Sequence, residues 1–119
     1  MATEEAFSQR PETILNDLFD TPSELFNKQR LAIMLELYCA GGVDFPQLKR
    51  DTRGITDGAL ASHLKALSDS ELIAPKTERV DSRERTTYII TKKGVFSVEK
   101  LFKDLDGIRK ELGIKGEEG

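Results

Sequence analysis

The chain is poor in the residues that build metal and disulfide sites. Its 119 residues include one cysteine, one histidine and no tryptophan. The single cysteine, Cys39, forms no disulfide framework and no cysteine-rich zinc site, and the single histidine, His63, supplies no histidine cluster. No apolar run approaches the roughly 18 residues of a membrane-crossing helix, so no membrane partner is expected. The first residues, Met-Ala-Thr-Glu-Glu, lack the basic and apolar regions of a secretory signal. Nine glycines and four prolines are too few for a collagen-like or low-complexity chain. No nucleophile–base pair, phosphate loop or carboxylate dyad stands out, so an enzyme is not expected. The expectation is a cytoplasmic protein with one modest core, no metal and no cofactor.

What is present is an uneven charge distribution. The formal net charge is −3, yet residues 44–93 hold ten Lys and Arg against eight Asp and Glu. The flanking segments, 1–43 and 94–119, are net acidic. For nucleic-acid binding the local patch matters more than the overall sum.

Residues 1–10 have no periodicity and read as a flexible N-terminal arm. Pro11 suits a first helical turn, and Ile14, Leu15, Leu18 and Phe19 make one apolar stripe over about 11–20. A second helix spans about Asn27–Ala40, capped either by a box at Thr21–Glu24 or by Asn27. Its interior, from Leu31 to Tyr38, is apolar nearly all round, which places Cys39 as an inert buried thiol. Gly41-Gly42 stops it by accepting the left-handed conformation. Asp44 caps a short helix, with Gln47 completing the box, and Asp51-Thr52-Arg53-Gly54 is a tight turn. Thr56 caps the next helix, in which Leu60, Leu64 and Leu67 share a face and which ends near Asp69. Residues 72–91 then change period. Two strands flank a charged tip, Glu78–Arg85, and form a hairpin. Thr91 caps a last helix to about residue 112, whose Val98, Leu101, Leu105, Ile108 and Leu112 step as a heptad seam. Residues 113–119 read as a tail.

A short helix, a glycine-containing turn and a second capped helix make a helix-turn-helix over about 44–69. The hairpin that follows, over about 72–91, makes it winged. The fold class is therefore mainly α with a small β-hairpin (α+β), a single winged-helix domain over 11–112. Opposite the leucine face, the second helix presents Gly58, Ala59, Ser62 and Lys65, small and polar side chains that let a backbone approach base edges in a major groove. Thr56 sits at a helix N-terminus that favours phosphate. Arg50 and Arg53 are placed for the sugar-phosphate backbone, and Arg79, Arg83 and Arg85 at the wing for a minor groove or its phosphates. A solvated face explains Ser62 and Lys65 equally simply, plain solubility explains the wing arginines, and packing or capping explains His63.

Asn27 to Gly94 resembles the winged-helix transcriptional regulators of bacteria and archaea, between the ArsR-like and MarR-like groups. The matching pieces are Asn27–Ile33, Asp44–Leu48, Ile55–Leu67, Leu72-Ile73, Arg85–Tyr88 and Thr91–Gly94. The resemblance implies a homodimer on a pseudo-palindromic operator. It implies that Thr56–Leu67 is the recognition helix, that Val80–Arg85 is the wing tip, and that Ala61, Ser62 and His63 touch DNA. The Cys or His clusters of ArsR-type metal sensors are missing, and the helix end at Ser68–Glu71 is more acidic than usual.

The terminal stripes, Ile14, Leu15, Leu18 and Phe19 with Val98, Leu101, Leu105, Ile108 and Leu112, lie outside the winged-helix core and want a partner. A two-fold dimer through them places two recognition helices about 34 Å apart, one turn of DNA. The alternative is that the N-terminal helix folds back on the C-terminal helix of its own chain. The expected function is a dimeric, sequence-specific regulator of double-stranded DNA, a repressor, with room for an unknown small-molecule effector. The other readings are a protein–protein interaction module without DNA binding, and a thiol- or effector-gated switch near Cys39.

Overall fold

The computed structural model describes residues 11–116, and side chains from Leu15 onward. The expected arm over 1–10, the side chain of Ile14 and the tail beyond residue 116 lie outside the described residues. The elements run α1 (Pro11–Phe19), a 3-10 turn (Ser23–Phe26), α2 (Lys28–Cys39), β1 (Val43–Asp44), α3 (Phe45–Asp51), α4 (Asp57–Asp69), β2 (Ile73–Val80), β3 (Arg83–Ile90) and α5 (Lys92–Glu111). Among the described residues they divide into two compact units, residues 23–98 and a second unit made of residues 11–22 and 99–116.

The first unit is a winged helix. Asn27 caps α2, its side chain accepting from the Arg30 N–H at 3.0 Å, and Ser23–Phe26 takes the 3-10 turn where the alternative box was expected. Ile33, Met34 and Leu37 of α2 are buried with Leu48 of α3, Leu60, Leu64 and Leu67 of α4, Leu72 just before β2, Ile73 of β2, and Val98 of α5. Burial of a leucine-sized side chain is worth roughly 1.5–3 kcal/mol, so this cluster is what holds the short helices together. Asp44 caps α3 through the Gln47 N–H at 2.9 Å. The Gln47 side chain does not return to close a box. It donates to Asp51 and accepts from Arg50 instead.

The sheet differs from the expected hairpin in two ways. A third strand, β1, pairs antiparallel with β3 through Val43↔Tyr88 and Asp44↔Thr87, giving the order β1-β3-β2. Two residues are too short to leave a period in the sequence. Gly41 and Gly42 also do not end α2 in a left-handed conformation. Ala40 leaves the helix extended, at φ −115°, and the chain passes straight into β1. The charged tip is also more regular than expected. The ladder continues to Val80↔Arg83 and closes on a two-residue turn, with Asp81 at φ 52° and Ser82 at φ 66°. Two consecutive positive φ values give the twist that suits a tight hairpin.

Helix α4 ends in a Schellman arrangement. Glu71 takes φ 61°, its N–H donates to the Ser68 carbonyl at 2.9 Å, and the Leu72 N–H reaches back to the Leu67 carbonyl at 3.0 Å. Thr91 ties this end to the start of α5. Its hydroxyl donates to the carbonyls of Glu71 (2.6 Å) and Leu72 (3.1 Å) and accepts from the Gly94 N–H (3.0 Å). Lys93 Nζ adds a bond to the Ser70 carbonyl at 2.9 Å. The approach is so close that a β-carbon at Gly94 would lie 2.1 Å from the Leu72 carbonyl oxygen and 2.7 Å from Ile90 Cγ1.

In the second unit, Lys100 of α5 donates to the Asp17 carbonyl of α1 at 3.3 Å and to Asp104 at 2.6 Å. Thr21 and Leu101 are buried there. The α1 helix thus meets the middle of α5 within one chain.

A second tie holds α3 to α2. The Glu36 carboxyl hydrogen-bonds to Asp51, and its pKa is pushed up to about 7, first by burial and then by that bond and the Asp51 charge. Asp51 is held below its ordinary value by the same bond and by Gln47.

Two outcomes are expected. Gly94→Ala forces α5 away from Leu72 and costs about 3 kcal/mol or more, seen as a fall of about 10 °C or more in the thermal midpoint. The raised pKa of Glu36 means that its contribution to stability is full below its ordinary value of 4.5 and is lost as pH rises through about 7. Wild type therefore loses thermal stability relative to Glu36→Gln between about pH 5 and pH 8. A constant difference in midpoint across that range rules the shared proton out.

Candidate nucleic-acid interface

Local chemistry sets α4 on the scaffold at both ends. Thr56 accepts from the Ala59 N–H at 3.1 Å, and Asp57 pairs with Lys49 of α3 at 2.6 Å. The C-terminal end is held by the Thr91 bonds. Buried leucines fix the inner face, so the outer face is determined by geometry. Gly58, Ala61, Ser62 and Lys65 are exposed on it, Ala59 is half-buried at its edge, and Thr56 is exposed at its start. Among the described residues, no large apolar side chain on α4 is exposed.

The basic candidates fall into two groups. Arg53, Arg79 and Arg83 are exposed and form no ion pair among the described residues. Arg53 shares an open cleft of about 670 Å³ with Asn27, Lys28, Gln29 and Asp51, beside the N-terminus of α2. Arg50 is exposed and donates only to the neutral Gln47. The other two are already paired. Lys65 Nζ lies 2.8 Å from Asp69, which raises its pKa through that hydrogen bond. Arg85 Nη2 lies 2.7 Å from Asp44, so it leans from the wing onto the cap of α3. Asp44 is held below its ordinary carboxylate value, first by the Gln47 N–H and then by Arg85. The Lys65–Asp69 spacing was visible in the sequence. The Arg85–Asp44 pair, 41 residues apart, was not.

His63, which the resemblance expects to touch DNA, is half-buried and bonds to α2 through its ring. Its Nδ1 accepts from Arg30 Nε at 2.9 Å, and its Nε2 sits 2.8 Å from Gln29 Oε1. Since Nδ1 accepts, Nε2 is the protonated nitrogen and donates. Both ring nitrogens are therefore spent on α2. The expected burial of Cys39 is corrected. It is exposed, because the core-facing stripe of α2 is Ile33, Met34 and Leu37 and Cys39 lies off that stripe.

Of the residues expected at a dimer seam, Val98 and Leu101 are buried within the chain. Leu18 and Ile108 are half-buried, and Leu15, Phe19, Leu105 and Leu112 are exposed. Phe102, which the heptad reading passed over, is exposed beside them, and Phe19 is 80% exposed. The heptad step found the inward face of α5 as well as the outward one.

Comparison with known proteins agrees with this geometry. The family model for the winged helix DNA-binding domain matches residues 29–108, more than half of the chain. No curated protein matches. Among solved structures, a transcriptional regulator homologue from Pyrococcus horikoshii is 26% identical, with 84% of this chain and 97% of that one covered and a TM-score of 0.72. A MarR-family regulator from Enterococcus faecalis is 22% identical, with 85% and 86% covered and a TM-score of 0.67. MepR of Staphylococcus aureus, solved bound to DNA, is 16% identical, with 92% and 84% covered and a TM-score of 0.65. By its matched span and its fold, the chain belongs to the winged helix DNA-binding domain family, with the architecture of MarR-type transcriptional regulators.

Proposed function

We propose that the chain is a sequence-specific repressor that binds a pseudo-palindromic operator in double-stranded DNA as a homodimer. The supporting observation is the outer face of α4, which is exposed, small and polar, and free of large apolar side chains. A protein-docking helix would expose an apolar patch there. Gly58, Ala59 and Ser62 let the backbone approach base edges, and Lys65 reaches a guanine edge or a phosphate. Thr56, Arg50 and Arg53 fix the register on the backbone. Arg79 and Arg83 reach a flanking groove from the wing. Lys65 and Arg85 exchange exposed ion pairs for phosphates, which costs little because such pairs are worth roughly 0–1 kcal/mol.

The dimer reading rests on exposed apolar side chains of α1 and α5. Phe19, Phe102 and Leu105 are open to water in one copy, and a second copy of the chain is the partner that gives two recognition helices about one DNA turn apart.

Fluorescence anisotropy with DNA from upstream of the protein's own gene tests the reading. Binding should weaken steeply as salt rises. Lys65→Ala should weaken it by about tenfold, and Asp69→Asn, which frees Lys65, should strengthen it. Absence of binding at low salt by a dimeric wild type overturns the proposal. Sedimentation should show a dimer that Phe102→Glu converts to monomer, with operator affinity lost alongside. A wild type that stays monomeric at micromolar concentration excludes the two-fold arrangement.

A further inference from the structure

Helix α4 is held at its ends by caps and along its inner face by buried leucines, and one side chain in its middle adds hydrogen bonds to α2. The His63 ring stands between Arg30 Nε (2.9 Å, donating to Nδ1) and Gln29 Oε1 (2.8 Å, accepting from Nε2–H). This bridge joins residues more than thirty positions apart and is half-buried. Its geometry requires a neutral ring. A protonated imidazole has no acceptor for Arg30 and faces a guanidinium across the distance of a hydrogen bond.

We propose that His63 is a positioning residue: as a neutral bridge to Gln29 and Arg30 it sets the orientation of the recognition helix on α2, and protonation releases that hold and weakens DNA binding under mild acid. This deepens the DNA-binding reading above and rests on it. A solvated or base-reading histidine would leave at least one ring nitrogen open, and here neither is.

The charges around the ring support the direction of the effect. Burial and the Arg30 charge hold the His63 pKa below its ordinary value of 6.5. Arg30 is the charge that α2 presents to the ring. On α4 itself, Lys65 and Asp69 are exposed and pair with each other. The strand packed on α4, β2, has its charges, Lys76, Glu78 and Arg79, on exposed positions, and none of them acts on the ring. No carboxylate among the described residues is placed to stabilise the imidazolium. The sign follows. A folded-state pKa below the ordinary one gives stability that is full above pH 6.5 and is lost as pH falls through the folded value. Glu36 titrates in the opposite sense, so acid strengthens the α2–α3 tie while it weakens the α2–α4 tie. The two carboxyl and imidazole effects are separable by substitution.

The test combines operator binding with a titration of the ring. In the full-length protein, nitrogen-15 NMR of His63 should show the Nε2–H tautomer and a midpoint below 6.5. Operator Kd should be flat at neutral pH and rise at least about fivefold between pH 7.5 and 5.5. His63→Ala should weaken binding about tenfold at pH 7.5. His63→Gln, whose amide can accept from Arg30 and donate to Gln29, should recover most of that loss and show a flat pH profile. Arg30→Met should abolish the pH dependence in the same way, with its effect non-additive with His63→Ala. A histidine that touches DNA predicts the reverse, tighter binding in acid as the imidazolium meets phosphate. Tightening in acid, the Nδ1–H tautomer, or a pH profile unmoved by His63→Gln overturns this inference alone. Failure of wild type to bind any DNA overturns the regulator reading and this inference with it.

Discussion

Everything in the winged helix converges on the carbonyl of Leu72. The residue is fully buried and lies between the left-handed end of α4 and the first strand of the wing, β2. Its carbonyl receives the Thr91 N–H and hydroxyl, and Gly94 lies so close above it that no side chain fits between. Four elements therefore meet at one peptide. The end of α4, the start of β2, the end of β3 and the first turn of α5 are registered to each other by hydrogen bonds rather than by apolar packing alone. Directional bonds with buried partners are costly to leave unmade, so the junction sets angles where a greasy contact would only set proximity. The outward aim of α4 depends on this.

The recognition helix is then a compromise between two faces. Its leucines supply core to a small domain that has little to spare. Its outer face is left to Gly58, Ala61, Ser62 and Lys65, which add nothing to the apolar core. Lys65 is parked on Asp69 and Arg85 on Asp44, so in the unbound protein part of the basic charge is neutralised internally. In the proposed DNA-binding reading, exchanging those partners for phosphates keeps the charge paired in both states. It also limits non-specific attraction, in keeping with a chain whose net charge is −3. Arg53, Arg79 and Arg83 remain as the unpaired cations at the turn and at the wing tip.

Much of this was legible from the sequence. Helix starts were read correctly at Asn27, Asp44, Thr56 and Thr91, because a capping side chain bonds to an N–H two or three residues away and leaves a local signature. The buried faces of α2 and α4 followed from helical period. The hairpin followed from β-branched residues around a polar tip. Misreadings occurred where a feature lacked local expression. The two-residue strand β1 exists only because β3 lies beside it. Cys39 is exposed because it lies two residues past Leu37, off the buried stripe of Ile33, Met34 and Leu37. Val98 and Leu101 share a heptad with Leu105 and Leu112, yet the step of 3 and 4 cannot say which members the same chain covers.

The sequence by itself determined the order of elements, the caps, the core leucines and the polar outer face of α4, since each depends on residues within about one or two helical turns of one another. The tertiary structure alone decided which groups His63 bonds. Gln29 and Arg30 come within hydrogen-bond reach of it only after α2 and α4 have packed. The His63 ring is thereby bonded to α2, because hydrogen-bond geometry is set by where the chain folds back and not by spacing along it.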